Sequence, residues 1–100
     1  MTDTQSKILE LMRDMQCRDI GEAEGKAVYY LNDDETPLMS YKRLETETGK
    51  SRPRLQVEMK ELRDMGMVEL TVAVDYEFYA PCGSGWILTA KGVEHLNSQI

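Results

Sequence analysis

Residues 47–70 read ETGKSRPRLQVEMKELRDMGMVEL, and how this stretch is parsed decides the fold. Gly49 stands between two segments of helical spacing, where a left-handed residue can end one helix before the next begins. Ser51 is placed to cap the second helix. Pro53 is tolerated in its first turn, where the N–H groups lack intrahelical partners. Leu55, Met59 and Leu62 recur four and three residues apart and define an inward face, and Gly66 closes the segment. Basic residues gather here. From Lys42 to Arg63 seven of them (Lys42, Arg43, Lys50, Arg52, Arg54, Lys60 and Arg63) face four acids, a local excess of +3. The chain as a whole carries −6, so the remainder carries −9. That imbalance argues against indiscriminate polyanion binding and points to one local basic surface.

Upstream, LMSYKRLETETG (38–49) reads as a short helix capped by Ser40 and anchored by Leu44. NDDETP (32–37) is loop chemistry. Residues 22–31 read as a helix with Ala23, Ala27, Tyr30 and Leu31 on one side, although Val28 and the tyrosine pair also carry strand propensity. Residues 3–17 form an amphipathic pattern through Ile8, Leu11, Met12 and Met15, with Thr2 or Asp3 as its cap. Downstream, the period changes to two. Val68, Leu70, Val72, Val74, Tyr76 and Phe78 alternate with more polar neighbours, APCGSG supplies a turn, and WILT a returning strand. Thr89 caps a last helix carrying Val93, Leu96 and Ile100, with Gly92 as a weak point in it.

The expected order is four helices, a two-stranded hairpin and a final helix: an α+β, mostly α, single domain of 100 residues. Its parts are an N-terminal helix over 1–19, a core over 20–89 and a C-terminal helix over 90–100. With 41% hydrophobic and 30% charged residues the composition is that of a folded globular chain. No apolar run is long enough to span a bilayer and MTDTQSK lacks the apolar core of a signal peptide, so a cytoplasmic protein is expected. Cys17, Cys82 and the single His95 build no metal-ligand spacing. No nucleophile-and-base pairing or glycine-rich phosphate loop stands out, so neither cofactor nor catalysis is expected.

Three segments in order, SYKRLETETGKSRPRLQVEMKELRDMGMVEL, the alternating strand with its hairpin, and LTAKGVEHL, resemble the winged helix-turn-helix domain of bacterial transcriptional regulators. The similarity runs from about Ala27 to Leu96. It implies double-stranded DNA as the partner, a recognition helix over about 51–65 in the major groove, and a homodimer reading a palindromic site. Arg52, Arg54, Gln56, Val57 and Lys60 are then the outward residues near the start of that helix, with arginine suited to guanine and glutamine to adenine. Lys42, Arg43 and Lys50 suit phosphates, and Ser40 and Ser51 mark the helix starts that face them. The first and last helices, each with an apolar stripe to spare, are expected to pair across the two-fold axis. Two features depart from the family. Lys50 stands where a small apolar residue is common. The wing between Ala73 and Gly85 holds Asp75 and Glu77 but no lysine or arginine, and would repel phosphate. Tyr76, Phe78 and Tyr79 in the same stretch suit a protein partner instead, and the alternative is an interaction module that uses this acidic, aromatic wing and binds no DNA.

Overall fold

The computed structural model describes residues 1–32, 36–75 and 80–99, with the side chains of all of these except 73–75 and 80–82. It is an α+β domain of four helices and two antiparallel hairpins. The elements are α1 (Asp3–Gln16), β1 (Cys17–Ala23), β2 (Lys26–Leu31), α2 (Tyr41–Thr48), α3 (Arg52–Asp64), β3 (Val68–Asp75), β4 (Ala80–Leu88) and α4 (Ala90–Ser98).

α1 starts with a reciprocal cap. The Thr2 hydroxyl accepts from the Gln5 amide while the Gln5 side chain accepts from the Thr2 amide. Its apolar stripe is spent inside the chain: Ile8, Leu9 and Met12 are fully buried, packed with Met39, Leu44, Leu55, Met59 and Leu62 of the central core. α4 adds Val93 and Leu96 to the same cluster. Among the described residues the first and last helices therefore belong to the core, and neither keeps a free apolar stripe of the kind expected for pairing across a two-fold axis; Ile100, the last member of that stripe, lies outside the described residues.

The helix expected over 22–31 is a hairpin. β1 pairs with β2 from Cys17 opposite Leu31 to Ala23 opposite Lys26, with a bulge at Ile20. The turn between them is two residues, Glu24 at φ 55° and Gly25 at φ 78°. Positive φ at both central positions is what a type I′ turn requires, and its twist matches the flanking strands. The helical spacing of Ala23, Ala27, Tyr30 and Leu31 was an accident: Ala23 lies on β1 and the other three on β2.

The second hairpin is built into the core at its base. Val68, Trp86 and Leu88 are buried, and Met39 bridges to Trp86 through paired backbone bonds of 2.9 and 2.8 Å. Gln16, fully buried at the end of α1, locks this region. Its amide nitrogen donates to the carbonyls of Pro37 and Trp86, at 2.9 and 2.8 Å, and its oxygen accepts from Leu88 N at 3.0 Å. Two glycines permit the close packing. A Cβ at Gly85 would meet Leu38 Cβ at 2.6 Å, and one at Gly92 would meet the Met67 carbonyl oxygen at 2.2 Å. Gly92, expected to weaken α4, is what lets α4 approach the strand connection. No helix among the described residues is long and apolar enough to cross a membrane.

Candidate nucleic-acid interface

The two helices that carry the basic island meet at Gly49, which adopts φ 70° and ends α2 in a left-handed cap. The Ser40 hydroxyl caps α2 by accepting from Arg43 N. Ser51 occupies the corresponding position before α3 but its side chain makes no capping bond; Pro53 in the first turn lacks an N–H that would need a partner and presets its own φ for the helix. Burial of Leu55, Glu58, Met59 and Leu62 sets the inner face of α3. The opposite face is thereby defined. Arg52, Gln56 and Lys60 follow one another at four-residue spacing, all exposed, with Val57 beside them 54% exposed.

Lys42 and Arg43 are exposed in the first turn of α2, and Lys50 is exposed in the turn. None of Lys42, Arg43, Lys50 and Lys60 forms an ion pair with the described residues. Their charge is available to solvent. Arg54 differs. Its guanidinium is drawn onto Glu58 at 3.0 Å, one turn along α3. Glu58 is buried and accepts a second bond from the Thr2 hydroxyl at 2.7 Å. Two donors satisfy a carboxylate that would otherwise be costly to bury. Arg54, expected among the outward readers, thus has half its task inside the protein. The bond from the Thr2 hydroxyl to Glu58 ties α3 to the start of α1, as does the bond from the Gln5 side chain to Glu61.

Arg52 is held in another way. Its guanidinium lies 5.0 Å from the centre of the Tyr41 ring, within cation–π range. Tyr41 in turn stands edge-on to Trp86, with centroids 6.3 Å apart and planes at 83°. This stack positions the first residue of α3 against the first residue of α2 and the base of β4. It was not foreseen from the sequence. The order Ser40-Tyr41 before a helix carries no sign that the ring will support an arginine eleven positions later. Beside the stack, between the helix starts and β3–β4, lies a cleft of about 290 Å³ bordered by Met39, Lys42 and Leu70.

The candidate contact residues Ser40, Lys42, Arg43, Lys50, Ser51, Arg52, Arg54, Gln56, Val57 and Lys60 are all at the surface of α2, α3 and the turn between them. Of the expected wing contacts, Tyr76, Glu77, Phe78 and Tyr79 lie outside the described residues, and nothing is assigned to them. Leu70 and Val72, lower on the same hairpin, are 54% and 53% exposed. No family model matches the chain, and neither a curated protein nor a solved structure is significantly similar to it.

Proposed function

We propose that this chain is a winged-helix DNA-binding protein that reads double-stranded DNA with α3. The observation that carries the reading is the exposed row Arg52, Gln56 and Lys60 on α3, flanked by the unpaired cations Lys42, Arg43 and Lys50. In a molecule of net charge −6, evolution of solubility alone gives no reason to gather positive charge around one helix–turn–helix. A helix needs such a composition to enter a major groove: arginine and glutamine for base edges, and lysines at the margin for phosphates. Val57 offers an apolar contact to a thymine methyl. The backbone order also suits the winged-helix assignment. α1, the Met39 bridge, α2, α3, β3 and β4 supply three helices and a three-membered sheet edge, with β1–β2 as an addition between α1 and Met39.

Fluorescence anisotropy of labelled duplexes over a range of salt tests this reading. Four phosphate contacts, from Lys42, Arg43, Lys50 and Lys60, give a slope of log affinity on log salt of roughly −3.6. Arg52→Ala is expected to cost about 1–3 kcal/mol on a selected sequence and to relax its sequence preference. Duplex binding with no dependence on salt, or an Arg52→Ala, Gln56→Ala protein that binds selected sequences as before, removes the assignment.

A second reading has its own observation. Leu70 and Val72 leave an apolar strip exposed on β3, which suits a protein contact better than a phosphate. On that reading the chain is an interaction module. Leu70→Asp would then abolish partner capture, and neither this variant nor the parent chain would change the anisotropy of labelled duplex.

A further inference from the structure

The cleft between the helix starts and β3–β4 has a chemistry distinct from the rest of the surface. Tyr41, Trp86 and Leu70 give it apolar and aromatic walls. Its charged lining residues are Lys42 and Arg52, both cationic, and no carboxylate among the described residues lines it, although acids outnumber bases 18 to 12 in the chain. One polar atom there is unaccounted for. Trp86 is 4% exposed, and its indole Nε1 is buried with no hydrogen-bond acceptor among the described residues. Buried indole N–H groups normally find a partner. The larger hollow between α4 and β1–β2, about 460 Å³, shows none of this: Arg18 and Glu94 both line it, and no orphaned donor does.

We propose that this cleft is a binding site for a small planar organic anion, of the aromatic carboxylate class, whose occupancy competes with nucleic acid for Lys42 and Arg52. The ring of such a ligand fits among Tyr41, Trp86 and Leu70, and its carboxylate takes the two cationic donors of the lining, the Arg52 guanidinium and the Lys42 ammonium. At about 290 Å³ with largely apolar walls, the space suits a body with an apolar face and not a bare oxyanion. The indole N–H is covered in the ligand-free chain. Leu70, the cross-strand partner of Trp86, is 54% exposed and forms part of the cleft wall. Binding of the anion withdraws two cations from the reading head. The effect on DNA rests on the function proposed above; the occupancy of the cleft does not.

Trp86 is the chain's only tryptophan, so intrinsic fluorescence reports on the cleft directly. Benzoate is the probe, with benzamide, acetate and inorganic phosphate as comparisons. We expect a saturable change with benzoate at a Kd of about 1 mM, and binding at least about tenfold weaker for each comparison. Leu70→Asp places a like charge at the rim of an exposed site, and Lys42→Ala with Arg52→Ala removes the cations. Each variant, shown to be folded by circular dichroism, is expected to weaken benzoate about tenfold or more. No saturable change with benzoate overturns the proposal, as does benzamide or phosphate binding as well as benzoate. In a parallel anisotropy experiment benzoate should weaken duplex binding. Duplex binding beside a fluorescence silent to benzoate refutes the cleft alone. Benzoate binding in a protein that never binds duplex supports the cleft and refutes the DNA reading.

Discussion

The two hairpins of this molecule have the same topology and opposite anchorage. β3–β4 is held at its base by side chains that belong to the core. Val68, Trp86 and Leu88 are buried, Met39 adds a bridge, and Gln16 fastens three separate backbone groups. β1–β2 has less of the kind: only Cys17 and Leu31, at its base, pack partly buried against the core. Every residue from Arg18 to Ala23 is exposed, so neither face of β1 is covered. A bare two-stranded hairpin is marginal in water. This one is held at one edge instead. The Asn97 side chain accepts from Tyr29 N at 2.8 Å and donates to Tyr29 O at 2.9 Å, imitating a neighbouring strand. The Arg13 guanidinium, 5.2 Å from the Tyr29 ring centre, adds a second contact. Full burial pins one hairpin; the other is held by partial packing of Cys17 and Leu31 at its base, by one amide and by one cation.

The largest expected effect comes from breaking the stronger anchor. Gln16→Leu keeps the volume but leaves Leu88 N buried without an acceptor and removes donors from Pro37 O and Trp86 O. Trp86 O still accepts from Met39 N at 2.9 Å, so the loss is partial there. We expect about 2–4 kcal/mol of lost stability, measured from urea unfolding. A loss below about 1 kcal/mol would show that packing alone seats the base of β3–β4.

Asn97→Ala attacks the weaker anchor. Two part-buried backbone groups of Tyr29 lose their partner, at an expected cost of about 1–2 kcal/mol. The more telling measurement is amide exchange. Protection should fall across β1–β2 and stay unchanged in β3–β4, because local opening of an unburied element need not involve the core. A uniform loss of protection would mean that the two hairpins unfold as one unit. Glu24→Asn should act in the opposite direction and more weakly. Glu24 sits at φ 55°, a region that costs an ordinary residue about 1–2 kcal/mol and that asparagine tolerates. A gain of about 0.5–1 kcal/mol in β1–β2 alone is expected; no gain would place the weak point of the hairpin elsewhere than its turn.

The same contrast explains what the sequence disclosed. Alternation from Val68 onward could be read as a strand by its period of two, but burial accounts only for its first member: Val68 is buried, while Leu70 and Val72 on the same face are exposed. β1–β2 has no such alternation. GEAEGKA is rich in helix formers, Ala23, Ala27 and Tyr30 happen to fall at helical spacing, and Glu-Gly lacks the Asn-Gly signature of a tight turn. On α3, Leu55, Met59 and Leu62 were legible as the inner face, which left Arg52, Gln56 and Lys60 outside by subtraction. What no local pattern could supply were partnerships across the chain. Gln16 with Leu88, Asn97 with Tyr29, Tyr41 with Arg52 and Thr2 with Glu58 join residues whose nearness exists only after folding. The diversion of Arg54 to Glu58 is one turn apart in α3 and was the legible exception, since that spacing is the ordinary one for a helical ion pair.

The smallest effect concerns Cys17, where α1 passes into β1. Burial raises the pKa of its thiol above the ordinary 9.0; the Arg13 charge opposes this and Asp14 adds to it. The native thiol therefore keeps its proton at a pH where the unfolded thiol has begun to release it. The resulting stabilisation is fully present below pH 9.0 and is lost as pH rises through the higher native value. Cys17→Ala should remove that part of the alkaline loss, read as the difference between the two proteins so that other titrating groups cancel. In a Cys82→Ser background the remaining thiol also tests the hairpin. Its alkylation at pH 8 should be slower than that of a free thiol, because only the thiolate reacts. Adding Asn97→Ala should speed it if release of Tyr29 lets the hairpin open down to its base. An unchanged rate would locate the opening beyond the pairing of Cys17 with Leu31, and would confine the weak anchorage to the outer part of β1–β2.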